Sequence, residues 1–430
     1  MLNGIFVVAV LASILLAAHT GRMPELTAAI LDDSRKAVDV ALKLVGVMAF
    51  FLGLMKVAEE GGLLRDLARL VRPVMRRLFP AVPPEHPAMS AMVLNIASNL
   101  LGLANAATPF GIRAMEELDK LNGRKGTATN AMALFLAINT AGLALLPSGA
   151  IALRAAAGSR EAAAILVPTW FASGCATTVG IVAALVLARL PAFRRSEPPA
   201  AAPLPGPEAP SPAETDSVRA SGAWRRRLLA LFWLVLLVLL GRHLLLELRQ
   251  AAPFELAREV LSHWMLPALV AALVLYGWSR RVRVYDSLVE GAKEGFQVAL
   301  RIIPFLVAIL VAVGMFRASG AMALIVDATG PLTGRIGLPS AALPMAILRP
   351  LSGSGAMAVM VEAMDTYGPD SLVGTMVSTF QGSTETTFYV LAVYCGAVGV
   401  KRTRHTLPAC LLADVAGILG AVLIVQLLFG

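Results

Sequence analysis

Apolar residues run along this chain in long blocks separated by short polar turns. Gly4–Ala18, Ala41–Met55, Leu228–Leu240 and Ala409–Phe429 hold few or no charges over 13 to 21 residues. About 20 apolar residues carry a helix across the hydrocarbon core of a bilayer. Shorter runs cross with help from flanking residues, or lie buried inside a bundle. The pattern predicts an all-α protein, a polytopic membrane helix bundle. No Lys or Arg precedes the first block, so it reads as a retained helix and not as a signal peptide, which needs a basic start.

One stretch breaks the pattern. Residues 196–221 are rich in Pro and Ala and polar at both ends, a composition that cannot bury a core and reads as a linker. Arg194 and Arg195 precede it, and Arg225, Arg226 and Arg227 follow. Basic flanks place the linker, 194–225, in the cytoplasm. It divides the chain into a first repeat (1–193) and, beyond a connecting transmembrane helix (226–246), a second repeat (262–430).

The two halves resemble each other at an offset of 258. Arg35-Lys36-Ala37-Val38-Asp39-Val40-Ala41-Leu42-Lys43 faces Lys293-Glu294-Gly295-Phe296-Gln297-Val298-Ala299-Leu300-Arg301. Lys56 matches Arg317, and the small-residue stretch Leu101–Pro109 matches Arg349–Ala356. Charge orients the copies. The first half carries Arg65, Arg69, Arg72, Arg76 and Arg77 where the second is poor in cations, and Lys401, Arg402 and Arg404 stand near the end of the second. The positive-inside rule then requires two inverted pseudo-symmetric repeats. With 62–87 and 111–127 both inside, 88–108 must enter and return, and 339–358 does the same from outside. Such re-entrant or broken segments survive only where protein or water covers their backbone, and in inverted halves they point to a transport site. The count is about nine full crossings and two re-entrant segments.

Composition agrees with lipid as the main solvent: 57% apolar, 15% charged, against about 25% charged in soluble domains. The net charge is +9. The cations flank apolar runs without interleaved aromatics, so nucleic acid is not the expected partner; membrane lipids are. Cys175, Cys395 and Cys410 form no CxxC pair and the five histidines form no HExxH pattern, so neither metal nor cofactor is expected.

The candidate chemistry lies in the polar punctuation. Asn95 and Asn99, four apart, share a helix face; Asn105 and Thr108 follow before Pro109. Buried amides need partners, which either a neighbouring backbone or a solute supplies. Arg349-Pro350-Leu351-Ser352-Gly353-Ser354 combines a fixed cation with a loop that opens a helix, a favourable place for phosphate or carboxylate; the alternative is a tight structural loop. Six of the seven residues from Gln381 to Thr387 have polar side chains, among them Ser383, Thr384 and Glu385. The run lies inside a span, and an ionisable residue there marks a pathway or a partner, unless the hydroxyls serve as packing glue. Asn139 and Thr140 occupy the corresponding place in the first half. Asp414 interrupts the last helix, where an ion pair and a ligand role are both open. Lys56 and Arg317, at helix ends, read as snorkelling, and the basic helix over 62–80 as lying on the lipid surface.

Longer strings carry a resemblance. Leu52-Gly-Leu-Met-Lys-Val-Ala-Glu-Glu60, Pro84-Glu-His-Pro-Ala-Met89, Asn105-Ala-Ala-Thr-Pro-Phe-Gly111 and Lys120-Leu-Asn-Gly123 resemble spore maturation protein A. Val284-Tyr-Asp286, Glu290-Gly-Ala-Lys-Glu-Gly295, Arg349-Pro-Leu-Ser-Gly353 and Gln381-Gly-Ser-Thr-Glu-Thr-Thr-Phe388 resemble spore maturation protein B. The chain looks like a fusion of the two, within the nucleoside-recognition or gate group of membrane proteins, which implies a transporter-like fold.

These readings converge on a non-enzymatic bacterial inner-membrane transporter of a small polar or anionic solute, working by alternating access, with a homo-oligomer open. Its substrate-binding candidates are Asn95, Asn99, Asn105, Thr108, Asn139, Thr140, Arg349, Ser352, Ser354, Gln381, Ser383 and Thr384; Glu385 and Asp414 are the candidates for a coupling ion or proton. The rival readings are a flippase for a phosphate-bearing lipid and a membrane scaffold that moves nothing. GxxxxGK[ST] does not occur, so this chain supplies no ATP site of that kind.

Overall fold

The computed structural model describes residues 2–102, 104–199, 223–247, 260 and 264–430. Residues 200–222, most of the linker, lie outside the described residues, as do the side chains of a few helical positions, Asn105 among them. The described chain is helical throughout. No strand forms among these residues, and an isolated bridge joins Thr127 to Arg402.

The first half supplies α1 (Leu2–Thr20), α2 (Met23–Glu60), α3 (Leu63–Leu78), α4 (Pro87–Leu101), α5 (Ala104–Lys120), α6 (Asn130–Thr140), α7 (Ser148–Ala156) and α8 (Leu166–Arg189). A connecting helix, α9 (Ala223–Glu247), leads to the second half. That half runs α10 (Met265–Ser279), α11 (Val284–Ala318), α12 (Ala321–Thr333), α13 (Leu343–Leu348), α14 (Gly353–Tyr367), α15 (Leu372–Ser383), α16 (Thr387–Ala397) and α17 (Thr406–Phe429). Each half shows the same order: a short helix, a very long one, a surface helix, a hairpin of two, a pair of short helices and a long final helix. Ala162–Arg189, Arg227–Leu246 and Thr406–Phe429 are long and apolar enough to cross a membrane whole.

Local chemistry sets many of the ends. Pro87 opens α4 at a position where its missing N–H costs nothing, and Gly102 closes it at φ +76°. Ser352 and Ser371 cap α14 and α15, each accepting a backbone N–H at 3.0 Å. In α3, Arg65, Arg69, Arg72, Arg76 and Arg77 share the helix with Leu70 and Val74, both widely exposed, as suits a helix lying along a lipid surface.

The core is built across the halves. α2 spans 38 residues, about 57 Å at 1.5 Å per residue, and packs along α11. Glycines let the two backbones touch: a side chain at Gly53 would strike Leu288, one at Gly291 would strike Leu52, and one at Gly295 would strike Ala49. Residue numbers rise on one helix as they fall on the other, so the pair is antiparallel. α8 and α17 repeat the device, Gly180 against Ala413, Gly417 against Ala176 and Gly420 against Ala172, again antiparallel. Close approach of small residues is how helices associate where no water drives them together.

Polar links tie the two ends of the bundle. At the end that carries α3, Arg280 and Tyr276 bond Asp66 at 2.5 and 2.6 Å, and Ser287 bonds Glu60 at 2.6 Å. At the opposite end Arg154 bonds Asp370 at 2.8 Å and Lys36 pairs with Asp365. Arg317 belongs to this second group. It is not a snorkelling side chain: its guanidinium meets Glu362 at 2.6 Å, because α14 presents a buried acid to it.

Candidate functional site

Four helix interruptions meet in the middle of the bundle. Two are hairpin tips: α4 turns into α5 at Gly102, and α13 turns into α14 through Arg349–Ser352. The other two are breaks. α6 stops at Thr140 and α7 resumes at Ser148; α15 stops at Ser383 and α16 resumes at Thr387. The polar run Gln381–Phe388 is therefore not continuous helix within a span. Its backbone extends at Thr384 (φ −138°, ψ 162°).

Each tip sits on the break of its own half. In the first half the Leu145 N–H donates to the Leu100 carbonyl at 2.7 Å, and Asn99 Nδ2 donates to Asn139 Oδ1 at 3.0 Å. In the second the Phe388 N–H donates to the Pro350 carbonyl at 3.1 Å, and Arg349 donates Nη1 to Thr386 Oγ1 (3.3 Å) and Nη2 to the Thr384 carbonyl. The breaks then meet each other, the Glu385 N–H donating to the Thr140 carbonyl at 2.9 Å. Gly142, at φ +59°, lies under this crossing; a Cβ there would come within 2.8 Å of Glu385 N and the Thr384 carbonyl carbon. Backbone groups left unpaired by the interruptions thus satisfy one another, as buried backbone must.

The electrostatics are uneven. Arg349 is buried, 4% exposed, while the Glu385 side chain is half exposed with Oε2 4.0 Å from Arg349 Nη2. Asp414, 2% exposed, reaches in from α17 and accepts the Thr387 hydroxyl at 2.7 Å. Several polar atoms are buried with no hydrogen-bond partner among the described residues, among them Arg349 Nε, Gln381 Oε1 and Asp414 Oδ1. An unmade hydrogen bond in a buried place costs about 1–3 kcal/mol, so such atoms ask for an explanation. Together they offer an incoming polar solute a donor, acceptors and a half-open carboxylate.

The sequence candidates divide by position. Asn99, Asn139, Thr140, Arg349, Thr384, Glu385 and Asp414 gather at or beside the crossing. Ser352 is spent on its cap, with Ser354 3.5 Å away. Ser383 bonds back to the Phe380 carbonyl at 3.3 Å, and the Thr140 hydroxyl to Ala137 at 3.1 Å. Asn95 faces elsewhere, donating to the Ala107 carbonyl (2.8 Å) and to the Tyr394 hydroxyl (3.2 Å). Thr108 lies on the same side in α5, while the Asn105 side chain falls outside the described residues. Sequence reasoning passed over Tyr394, which holds Asn95 and stacks on Phe135 at 6.2 Å; a phenol in an otherwise apolar run was its signal. Thr386 and Thr387, which hold Arg349 and Asp414, lay within the polar run without being singled out.

An all-helical, multi-pass bundle whose interrupted helices cross at mid-depth is a membrane protein of transporter-like architecture. The chain belongs to the Gate family, described as nucleoside recognition, which matches residues 41–189 and 299–401 and so takes in both breaks. It is 46% identical over 170 residues to spore maturation protein B of Bacillus subtilis, spanning 40% of this chain and 96% of that protein. It is 38% identical over 197 residues to spore maturation protein A of the same organism, spanning 46% of this chain and 98% of that one. The chain is thus similar to a fusion of the two. No solved structure matches it.

Proposed function

We propose that this protein is a secondary transporter of a small polar or anionic solute in the bacterial cytoplasmic membrane, its two halves acting as inverted repeats that alternate access to one central site. The crossing of the two breaks carries this reading. Interrupted helices at membrane depth leave backbone and charge where a solute can meet them. Arg349 supplies fixed positive charge for phosphate or carboxylate. Asn99 and Asn139 supply amides, and Glu385 with Asp414 forms the path for a coupling ion or proton. The end that carries α3 faces the cytoplasm together with linker 194–225, since its arginines follow the positive-inside rule. The site needs no cofactor and performs no covalent chemistry.

The family description suggests the first probes. Uridine and uridine monophosphate are added to the reconstituted full-length protein on a solid-supported membrane, and the charge displacement is recorded. A saturable signal, at least tenfold weaker in Arg349→Ala or Glu385→Gln, is expected. A signal that both variants keep would remove the crossing from the transport path. Transfer of a fluorescent anionic phospholipid between leaflets, with no response to either solute, would put the flippase in its place.

A further inference from the structure

A second polar cluster lies at the end of the bundle opposite α3, between the halves. Arg317 on α11 donates Nε to Glu362 Oε1 on α14 at 2.6 Å, and its Nη2 lies 4.0 Å from Asp33 Oδ1 on α2. Both acids are buried, Asp33 at 4% and Glu362 at 6% exposed. Each keeps a second oxygen, Asp33 Oδ2 and Glu362 Oε2, that accepts no hydrogen bond. Asp33 Oδ2 is turned against Gly314 of α11, where even a Cβ would overlap it. Lys36 Nζ stands 3.8 Å from Glu362 Oε2, beyond hydrogen-bond reach, because its ammonium sits on Asp365.

The surrounding charge does not close. Arg317 is matched by Glu362 and Lys36 by Asp365, which leaves Asp33 with no cation nearer than 4.0 Å. Asp32 adds a further acid from α2. Of the other cations of the neighbouring elements, Arg22, at the α1–α2 turn, reaches towards Gly320, Arg154 on α7 is bound to Asp370, and Arg35 of α2 lines an adjoining cavity, which Asp33 and Glu362 do not line. Two buried carboxylates therefore share one guanidinium. The matching cation of the first half, Lys56, pairs at 3.2 Å with a well-exposed Glu59, so the two ends of the long helix pair differ in kind.

This cavity, of about 520 Å³, adjoins the cluster at Lys36, although neither Asp33 nor Glu362 is among its lining residues. It opens between α2, α7 and α14, lined by Asp32, Arg35, Lys36, Asp39 and Asp365. Lys36 belongs both to this wall and to the buried group. Among the described residues no three His, Cys, Asp or Glu side chains gather to hold a metal ion. A proton needs only one carboxylate oxygen. It removes one negative charge and turns an orphan acceptor into a donor.

We propose that Asp33 and Glu362 form a proton-binding site at the interface of the two halves. The proton passes from water in the cavity to one carboxylate oxygen and returns by the same route. Its role as a coupling site rests on the transporter reading above; the binding itself does not.

The test is infrared difference spectroscopy of the full-length protein in lipid nanodiscs, titrated from about pH 8 to about pH 5 in potassium buffer without solute. Wild type is expected to gain a reversible protonated-carboxyl C=O band. That gain should fall by at least half in Asp33→Asn and in Glu362→Gln, and persist in Glu290→Gln, where an exposed carboxylate on α11 pairs with Lys293. Gly314→Ala keeps both acids and crowds Asp33 Oδ2; it should shift the midpoint of the band, and it secures the test should an acid variant not fold. An unchanged band in the two acid variants, or an unchanged midpoint in Gly314→Ala, overturns the proposal. So does loss of the wild-type band on adding Na⁺ at constant pH, which would make the ligand a metal cation. Because the band needs no solute, its failure and the failure of the transporter reading are separate results.

Discussion

Gly142→Ala is the smallest change that reaches the crossing. Its cost has three parts. A residue with a Cβ gives up about 1–2 kcal/mol in the left-handed conformation that Gly142 adopts at φ +59°. The new methyl lies 2.8 Å from Glu385 N and from the Thr384 carbonyl carbon. Both are backbone atoms and cannot swing aside, and overpacking of this kind costs about 1–3 kcal/mol. Separating the breaks also loses the hydrogen bond from Glu385 N–H to the Thr140 carbonyl, a net of about 1 kcal/mol. If the parts add, the variant is destabilised by about 3–6 kcal/mol. The control is Gly174→Ala in α8, where φ is ordinary and nothing stands within 4 Å of the added methyl. That change should be neutral or gain up to about 1 kcal/mol from helix propensity. Denaturant titration of both variants in mixed micelles, followed by tryptophan fluorescence, gives the comparison. If the two behave alike, the breaks do not touch as described and the site built on them fails.

Other consequences can be checked in the same preparations. Arg154→Ala removes bonds to the Pro369 carbonyl (2.5 Å) and to Asp370 (2.8 Å), and should cost about 1–3 kcal/mol; Arg154→Lys should recover only part of it, since an ammonium cannot fork. His405, in the turn before α17, is fully buried and neither ring nitrogen has a partner. Burial first, and the charge of Arg404 second, push its pKa from 6.5 down to about 4. The unfolded chain then takes up a proton that the folded one refuses, so stability should fall as pH drops from about 6.5 to about 4. Melting curves across that range should lose this component in His405→Phe, and a slope equal to wild type would refute the assignment. Arg349→Lys keeps the charge but gives up the two-armed grip on Thr384 and Thr386; the uridine monophosphate signal should weaken at least tenfold while the protein stays folded by gel filtration.

The helical class and the repeated order of elements were legible because both rest on local signals, apolar length and recurrent strings. Hairpin tips at Gly102 and Arg349–Ser352 were also legible, since Gly, Pro and Ser mark them. The break at 384–386 was not. No Gly or Pro lies between Ser383 and Thr387, and three polar residues read equally well as one more helical turn. What holds that break open is remote: Arg349 on the Thr384 carbonyl and Thr140 on the Glu385 N–H. Likewise, nothing in sequence spacing pairs Asn99 with Asn139, or shows that Arg317 faces a buried Glu362. These partnerships exist only once two antiparallel helices are brought side by side.

The interlocked glycines of α2 and α11, and of α8 and α17, bear on how such a protein is made. The two most extensive helix contacts, α2 with α11 and α8 with α17, each join one half to the other, so neither half encloses its core alone. In Bacillus subtilis the counterparts of the two halves are separate proteins, each matched almost over its full length. Here one translation event delivers both in equal number and within reach of each other, at an effective concentration set by the connection rather than by expression. A chain severed between residues 199 and 223 should therefore remain assembled in the membrane, and what it would lose is guaranteed one-to-one supply.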